Sequence, residues 1–198
     1  MIRIGLTGSI AMGKSEAARY FAAKGLPVFD SDAEVHRLYD SEEGAALLRP
    51  YAADATRQDR VDRQMLTTLI MQDKGLLGKL EGVVHAEIRA RRARFIEKAR
   101  SEGHQAVVLD IPLLFETGGE KDVDVTLVIS SSPELQEARA LARPGMTRER
   151  LGMILARQMP DIEKRAKADH VIDNNSTLQE LHKRLAAFLQ TIGLQNHA

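Results

Sequence analysis

The stretch that decides the fold is residues 8–15, GSIAMGKS, near the start of the chain. It fits the pattern G-x-x-x-x-G-K-[ST] and follows a short apolar run, residues 2–6. The apolar residues after it recur at helical spacing, so a strand, a loop and a helix are predicted. In such a turn, backbone N–H groups and the positive end of the helix dipole converge on an anion. The stretch therefore predicts a phosphate-binding loop, with Lys14 on the β- and γ-phosphates of a nucleotide and the Ser15 hydroxyl in a Mg²⁺ shell.

The loop departs from the common form at two positions. Ser9 and Ala11 stand where many such loops carry glycine. Ala11 would resist a positive φ, because its Cβ crowds the backbone in that conformation. We therefore expect a strained or slightly altered loop. The alternative to phosphate binding is a chance match in an ordinary strand–loop–helix turn.

Composition bounds the class of protein. The chain has 198 residues, 43% of them apolar, which suits one globular α/β domain with a small insert. Its 28 basic and 28 acidic residues balance, so no basic face for nucleic acid is expected. No apolar run approaches membrane length. There is no cysteine, hence no disulfide or thiolate metal cluster, and a reducing cytoplasm fits. No particular oligomeric state is predicted.

The alternation of strands and helices predicts a mostly parallel sheet with helices on both faces. Strands are predicted at residues 2–6, 27–29, 106–109, 123–129 and 170–172. Helices are predicted after residue 15 and at residues 133–143, 147–159 and 176–192, and a long helix ends near Gly103. Ligands of such folds bind at the carboxyl ends of the strands, where residues 8–15, 30–32, 110–116 and 130–132 fall.

Three classes of protein share the phosphate loop, and motifs elsewhere in the chain separate them. A GTPase would need an Asp-x-x-Gly switch, which is absent, and a guanine-reading [Asn/Thr]-Lys-x-Asp, to which Ala166–Asp169 is only an approximation. A transport ATPase would need a signature such as LSGGQ, which is also absent. A small-molecule kinase remains.

Such a kinase needs a carboxylate that orients the acceptor hydroxyl. Asp32 follows the second strand and could take the hydroxyl proton or support the Mg²⁺ shell. Asp30 lies two residues earlier and, in an extended stretch, on the same side, so the pair cannot be separated by sequence. Asp110, at the end of the third strand, is a further candidate for the metal shell. The structural alternative for Asp30 and Asp32 is that they cap the helix that follows.

Arginines would shield and stabilise the charge on the transferring group. Residues 139–157 are typical of a lid, two helices that meet at a Pro-Gly hinge. Arg139 and Arg143 lie one turn apart and are predicted to share a helix face. Arg148 and Arg150 fit a solvated basic face. Leu113–Phe115, three apolar residues after the third strand, suggest either a substrate surface or ordinary core.

Several separated motifs together resemble the dephospho-coenzyme A kinases over nearly the full length. They are GLTGSIAMGKS, VFDSD at 28–32, Asp62-Arg63 with Leu66, HAEI at 85–88, IPLLFE at 111–116, Gln136 with the 139–143 segment, Gln158 with Lys164, and ADHVIDN at 168–174. The segments PLLFE at 112–116 and ADHVIDN at 168–174 together are far more specific than the phosphate loop alone.

The resemblance implies an α/β fold of the P-loop nucleoside-triphosphate hydrolase type, with a parallel five-stranded sheet flanked by helices. Residues 1–32 and 105–198 would form the nucleotide-binding core, with the lid at about 139–157, and residues 33–104 a mainly helical substrate-binding insert. The implied reaction is ATP-dependent phosphorylation of the ribose 3′-hydroxyl of dephospho-coenzyme A, with Mg²⁺.

The resemblance also assigns residues by position. The predicted catalytic residues are Asp32 as base, Lys14 and Arg143. Nucleotide contacts are expected from Gly8, Ser9, Ile10, Ala11, Met12, Gly13, Lys14, Ser15, Glu16, Arg139 and Asn174, with Ser15 also on the metal. Substrate contacts are expected from Asp32, Arg63, His85, Leu113, Leu114 and Glu116.

The chain departs from the family pattern at Ser9 and Ala11, at Arg60 in place of a glycine, and at Ala86 in place of a proline after His85. None of these changes removes a group assigned to chemistry. The alternatives are another small-metabolite kinase of the same core, acting on a nucleotide or sugar, and a nucleotide-binding module without turnover.

Overall fold

The computed structural model describes residues 1–194, whose strands form one five-stranded sheet of order β2-β3-β1-β4-β5. The strands are β1 Ile2–Thr7, β2 Val28–Asp30, β3 Ala106–Asp110, β4 Val125–Ser130 and β5 His170–Asp173. β1 pairs in parallel with β3 and with β4, and β4 pairs in parallel with β5. Every residue of β3 and β4 is buried, as expected of central strands covered on both faces. The predicted parallel α/β sheet is confirmed.

Side-chain caps begin most of the helices in the described part of the chain. Asp30, Ser41, Asp62, Ser132, Thr147 and Thr177 each accept a first-turn N–H of the following helix. The helices are α1 Lys14–Ala23, α2 Ser31–Tyr39, α3 Glu42–Leu48, α4 Arg63–Gln72, α5 Lys74–Ser101, α6 Pro133–Leu141, α7 Arg148–Leu155, α8 Asp161–Lys167 and α9 Leu178–Thr191.

The predicted helices after residue 15, before Gly103 and near 133, 147 and 176 are confirmed with small shifts of their ends. α7 ends at Leu155, before the predicted residue 159. The sequence did not predict α8, in which Lys164 is the buried residue.

A turn in the second half of the 53–61 segment is closed by two backbone contacts. Thr56 and Val61 form an isolated antiparallel bridge, and Arg57 N–H donates to the Arg60 carbonyl oxygen at 2.8 Å. Arg60 does not have a positive φ, so this turn does not require a glycine at position 60.

The chain divides into two compact units. The first combines Met1–Phe29 with the chain from Ala99 onward, and the second is Asp30–Lys98. The predicted roles of nucleotide core and substrate-binding insert stay predictions. No helix within residues 1–194 has the length and apolar character that a membrane span needs.

The core of the first unit lies between the sheet and the helices α1 and α9. Ile4 and Leu6 of β1 and Leu127 and Ile129 of β4 are fully buried there, in one cluster with the aromatic rings of α1 and α9. The Phe21 and Phe188 ring centroids are 6.1 Å apart. Burial of each such side chain contributes about 1.5–3 kcal/mol. This packing therefore fixes the carboxyl end of β1, from which residues 8–15 leave the sheet.

Candidate active site

Two glycines of the 8–15 loop lie where an added side chain would meet a neighbour at very short distance. A Cβ on Gly8 would come 2.5 Å from the Ile129 carbonyl oxygen, and a Cβ on Gly13 would come 2.1 Å from Asn174 Nδ2. Gly13 also has a φ of +102°, which favours glycine. Asn174 Nδ2 donates to the Met12 carbonyl oxygen at 3.0 Å. The segment after β5 therefore holds the loop by direct contact with its backbone.

Ala11 adopts a left-handed conformation with φ +63°, which no other non-glycine residue of the described chain does. This is the strain that the sequence predicts at this position. A left-handed alanine costs about 1–2 kcal/mol relative to the right-handed region. The conformation persists only because the surroundings of the loop determine it.

The loop is held from outside by two glutamines and by a buried sulfur contact. Ile10 N–H donates to Gln158 Oε1 at 3.0 Å, and Gln136 Nε2 donates to the Ile10 carbonyl oxygen at 2.9 Å. The N–H of Ser131 lies 3.0 Å from Met12 Sδ. Sequence reasoning noted the two glutamines only through the family resemblance and assigned them no role.

The predicted phosphate lysine and metal hydroxyl stand in the first turn of α1. Lys14 Nζ pairs with Asp110 Oδ1 at the end of β3, where Asp110 is 3% exposed. Ser15 is exposed. Glu16 bonds to Arg19 and, through Oε1, lies 3.2 Å from His182 Nε2. The structure thus brings Lys14 and Asp110 together beside the loop, which the sequence left open.

The two predicted lid arginines have different surroundings. Arg139 Nη2 donates to the Asn174 carbonyl oxygen at 3.0 Å, and its buried Nη1 has no hydrogen-bond partner among the described residues. α6 ends at Leu141, so Arg143 lies beyond the helix in the turn before Gly145, which has a φ of +71°. Arg143 is exposed, and no side-chain bond joins it to residues 1–194. The prediction that both arginines share a helix face is wrong, because the helix stops between them.

Glu116 forms a buried ion pair with Lys164 of α8. Lys164 is fully buried and its Nζ lies 2.8 Å from Glu116 Oε1, which also accepts the Met159 N–H at 2.7 Å. Glu116 Oε2 is buried and has no partner within residues 1–194. This pair joins the 111–116 segment to α8, a link that the sequence reasoning did not foresee.

The three apolar residues of that segment are not alike. Leu113 is 38% exposed, whereas Leu114 and Phe115 are 0% and 7% exposed. Burial therefore favours the core alternative for Leu114 and Phe115 and leaves Leu113 as the surface residue. The substrate contacts predicted for Leu113 and Leu114 stay predictions.

The other predicted residues belong to the second unit. Asp30 is the N-cap of α2 and accepts the Ala33 N–H at 2.9 Å, so the structural alternative accounts for its position. Asp32 is exposed in the first turn of α2. His85 is exposed within α5, which runs unbroken past Ala86. The structure thus separates Asp30, a helix cap, from Asp32, whose side chain caps no helix within residues 1–194.

Arg63, at the start of α4, makes several contacts with α2. Its Nη1 lies 3.0 Å from His36 Nδ1, and its Nη2 donates to the His36 carbonyl oxygen at 3.2 Å and bonds to Asp40 Oδ2 at 2.8 Å. The guanidinium also lies 5.9 Å from the Tyr39 ring centroid. Burial raises the pKa of the Tyr39 hydroxyl, and the charge of Arg63 opposes that rise. Arg63 is thus held with its guanidinium partly exposed.

A glycine-containing loop between the first strand and a helix, with a lysine beside a strand-end carboxylate in a parallel five-stranded sheet, defines an α/β fold of the P-loop nucleoside-triphosphate hydrolase type. A solved shikimate kinase from Acinetobacter baumannii has this fold, with a TM-score of 0.56 and 16% identity over 98% of this chain and 96% of its own. The likeness at this identity shows the fold alone.

The dephospho-CoA kinase family model matches residues 2–180. A dephospho-CoA kinase from Rhodopseudomonas palustris is 45% identical over 190 residues, 96% of this chain and 95% of its own. The solved structure of TT1252 from Thermus thermophilus is 37% identical, with a TM-score of 0.80, over 96% of this chain and 97% of its own. The chain belongs to the dephospho-CoA kinase family and is an enzyme, a phosphotransferase. Nothing in these comparisons supports a nucleotide or sugar kinase or a binding module without turnover.

Proposed function

We propose that the chain transfers the γ-phosphoryl group of ATP to the ribose 3′-hydroxyl of dephospho-CoA, with the residues of the 8–15 loop as the triphosphate site. ATP-dependent phosphorylation of this substrate completes coenzyme A biosynthesis. The loop itself is the observation that carries the assignment of the site. Its backbone, which leads into Lys14, is fixed by Asn174 and by Gln136 and Gln158.

The backbone N–H groups of the loop and the N-terminus of α1 are the proposed ligands of the phosphates. Lys14 Nζ, now paired with Asp110, would be shared with the β- and γ-phosphate oxygens, because these compete with the carboxylate for the same cation. Arg139 supports this assignment, since its Nη1 is a buried donor with no partner within residues 1–194.

We propose that Asp32 receives the proton of the acceptor hydroxyl. The 3′-oxygen forms a bond to the γ-phosphorus as the bond from that phosphorus to the β–γ bridging oxygen breaks, so ADP leaves and the proton passes to the carboxylate. Asp32 is exposed and capping is performed by Asp30, so its carboxylate is available for this role. Arg143, exposed at the turn after α6, is the proposed lid residue for the transferring group.

Magnesium is part of this proposal. The Ser15 hydroxyl, exposed in the first turn of α1, and the Asp110 carboxylate are oxygen donors of the kind that Mg²⁺ accepts together with substrate phosphates. The ion would neutralise charge that develops on the phosphate oxygens.

For dephospho-CoA itself, the proposed contacts are Arg63, His85, Leu113, Leu114 and Glu116. Arg63 is the best supported, because its contacts with His36 and Asp40 fix a cation that can meet a phosphate. No nucleic acid or membrane partner is proposed, and a cytoplasmic location stays a prediction from the sequence.

The test is a coupled assay of ADP formation with dephospho-CoA, AMP, shikimate and gluconate as acceptors, and mass spectrometry of the product. We expect turnover with dephospho-CoA alone and phosphate on the 3′-hydroxyl. Lys14→Met should abolish it, while Lys24→Met, a lysine at the far end of α1, should not. Turnover with another acceptor only, or ATP binding without any turnover, would contradict the proposal.

A further inference from the structure

The peptide groups on both sides of Ile10 are held by glutamines from separate elements. Gln136 lies in α6 and is 8% exposed, and Gln158 follows α7. Since an N–H can only donate and a carbonyl oxygen can only accept, Gln158 must present its oxygen and Gln136 its amino group. The two side chains therefore have opposite and defined roles.

We propose that Gln136 and Gln158 are positioning residues that keep the phosphate loop in its anion-binding conformation. The proposal rests on the proposed function of the loop. Ile10 directly precedes Ala11, whose left-handed φ of +63° is unfavourable for alanine. Relaxation of Ala11 to a negative φ would rotate the Ile10–Ala11 peptide group, whose carbonyl oxygen Gln136 binds, and would displace the Ser9–Ile10 peptide group before it, whose N–H Gln158 binds.

Apolar packing supports the same conformation. Ala11, Ala140 and Leu151 form a small buried cluster, against which Ile10, Met146 and Leu155 pack. The cluster and the two hydrogen bonds join the loop to α6 and α7, the helices of the predicted lid segment. In a loop with glycine at position 11 the backbone would need less support, so the glutamines matter most in a chain that carries Ala11.

The first experiment compares two charge-matched variants. Gln158→Glu retains an acceptor for the Ile10 N–H, whereas Gln136→Glu replaces a donor with an acceptor that faces the Ile10 carbonyl oxygen. We expect the KM for ATP to rise about tenfold in Gln136→Glu and in Gln158→Leu, the factor for one lost hydrogen bond, and about threefold or less in Gln158→Glu. The KM for dephospho-CoA should change less than about twofold in all three.

The second experiment repeats Gln158→Leu in an Ala11→Gly background. Because glycine adopts a positive φ without strain, the rise in the KM for ATP should fall from about tenfold to about threefold. This coupling distinguishes positioning of the loop from a general loss of packing. It also tests the positioning role if Gln136→Glu fails to fold.

Equal effects of Gln136→Glu and Gln158→Glu, or equal losses from Gln158→Leu in the unmodified and the Ala11→Gly backgrounds, would overturn the proposal. Calorimetric titration of the same variants with ATP measures the positioning role by binding alone, independently of phosphoryl transfer. If the unmodified chain does not phosphorylate dephospho-CoA, the function fails, while the order of ATP affinities still supports or contradicts the positioning role.

Discussion

The ammonium group of Lys14 pairs with the carboxylate of Asp110, which joins the first turn of α1 to the end of β3. Both ends of this pair are largely withdrawn from water, with side-chain exposures of 16% and 4%. The cation is therefore fixed beside the phosphate loop by a strand of the central sheet. A triphosphate at the loop would have to share Lys14 with Asp110.

Asp110→Asn should lower kcat/KM for ATP by about tenfold or more, because a neutral amide orients the lysine less firmly and is a poorer metal ligand. Steady-state assays at fixed dephospho-CoA measure it. Asp54→Asn, an exposed carboxylate of the second unit, is the control and should leave activity unchanged. Activity of Asp110→Asn within twofold of the unmodified enzyme would remove Asp110 from the site.

Asp32→Ala should abolish phosphoryl transfer and leave the affinity for ATP within a few-fold, because the proposed proton acceptor is lost and the loop is unchanged. Asp30→Ala should instead lower the free energy of unfolding by about 1 kcal/mol, since it removes the N-cap of α2. Kinetic assays, ATP titration and urea unfolding separate the two effects. An active Asp32→Ala enzyme would exclude the assigned role.

Ala11→Gly should raise the free energy of unfolding by about 0.5–1 kcal/mol and the melting temperature by about 2–4 °C, because the left-handed φ no longer carries a Cβ. Ala17→Gly is the matched control. Ala17 is buried within α1, where glycine weakens a helix, so its melting temperature should fall. A fall in both variants would show that Ala11 is not strained.

Lys164→Met should lower the free energy of unfolding by about 3 kcal/mol, because it leaves the Glu116 carboxylate without its buried partner. Urea unfolding measures the change. In the double variant with Glu116→Gln the loss should be smaller than the sum of the two single losses. The exposed Lys167→Met should change stability by less than about 0.5 kcal/mol.

Asp169→Asn should weaken the acid sensitivity of the fold. Hydrogen bonds from the backbone N–H and then the hydroxyl of Thr126 lower the pKa of the Asp169 carboxyl. A carboxyl with a lowered folded-state pKa adds stability that is present above the unfolded-state pKa and is lost as the pH falls through the folded-state pKa.

The difference in unfolding free energy between about pH 7 and pH 3 should therefore be smaller in Asp169→Asn than in the unmodified chain. Urea titrations over this range measure it. Glu163→Gln is the control, since Glu163 is exposed and its side chain bonds to none of residues 1–194. An unchanged pH profile for Asp169→Asn would contradict the prediction.

Much of the fold could be predicted because buried strands and helices leave a pattern of apolar residues in the local sequence. The strands around Val108 and Leu127 are runs of apolar residues, and the long helix α5 shows its period over many turns. α8 left no such signal, since its buried side chain is a lysine and its partner, Glu116, is distant in sequence.

The site was predictable to the extent that its chemistry is local. The loop motif indicated Lys14 and the strain at Ala11 from residue type and spacing alone. The pairing of Lys14 with Asp110 depends on neighbouring strands in the sheet, which spacing does not define. The glutamines that hold Ile10, one within α6 and one after α7, are polar residues whose role is not visible until the loop packs against them.

The contact between Gly13 and Asn174 has a consequence for how this enzyme can evolve or be redesigned. The amide of Asn174 occupies the space that a side chain at position 13 would fill. Because Gly13 also has a φ of +102°, a smaller residue at position 174 would free the space without making position 13 favourable for a side chain, so a randomised library of the loop should return glycine at position 13 whatever residue stands at position 174.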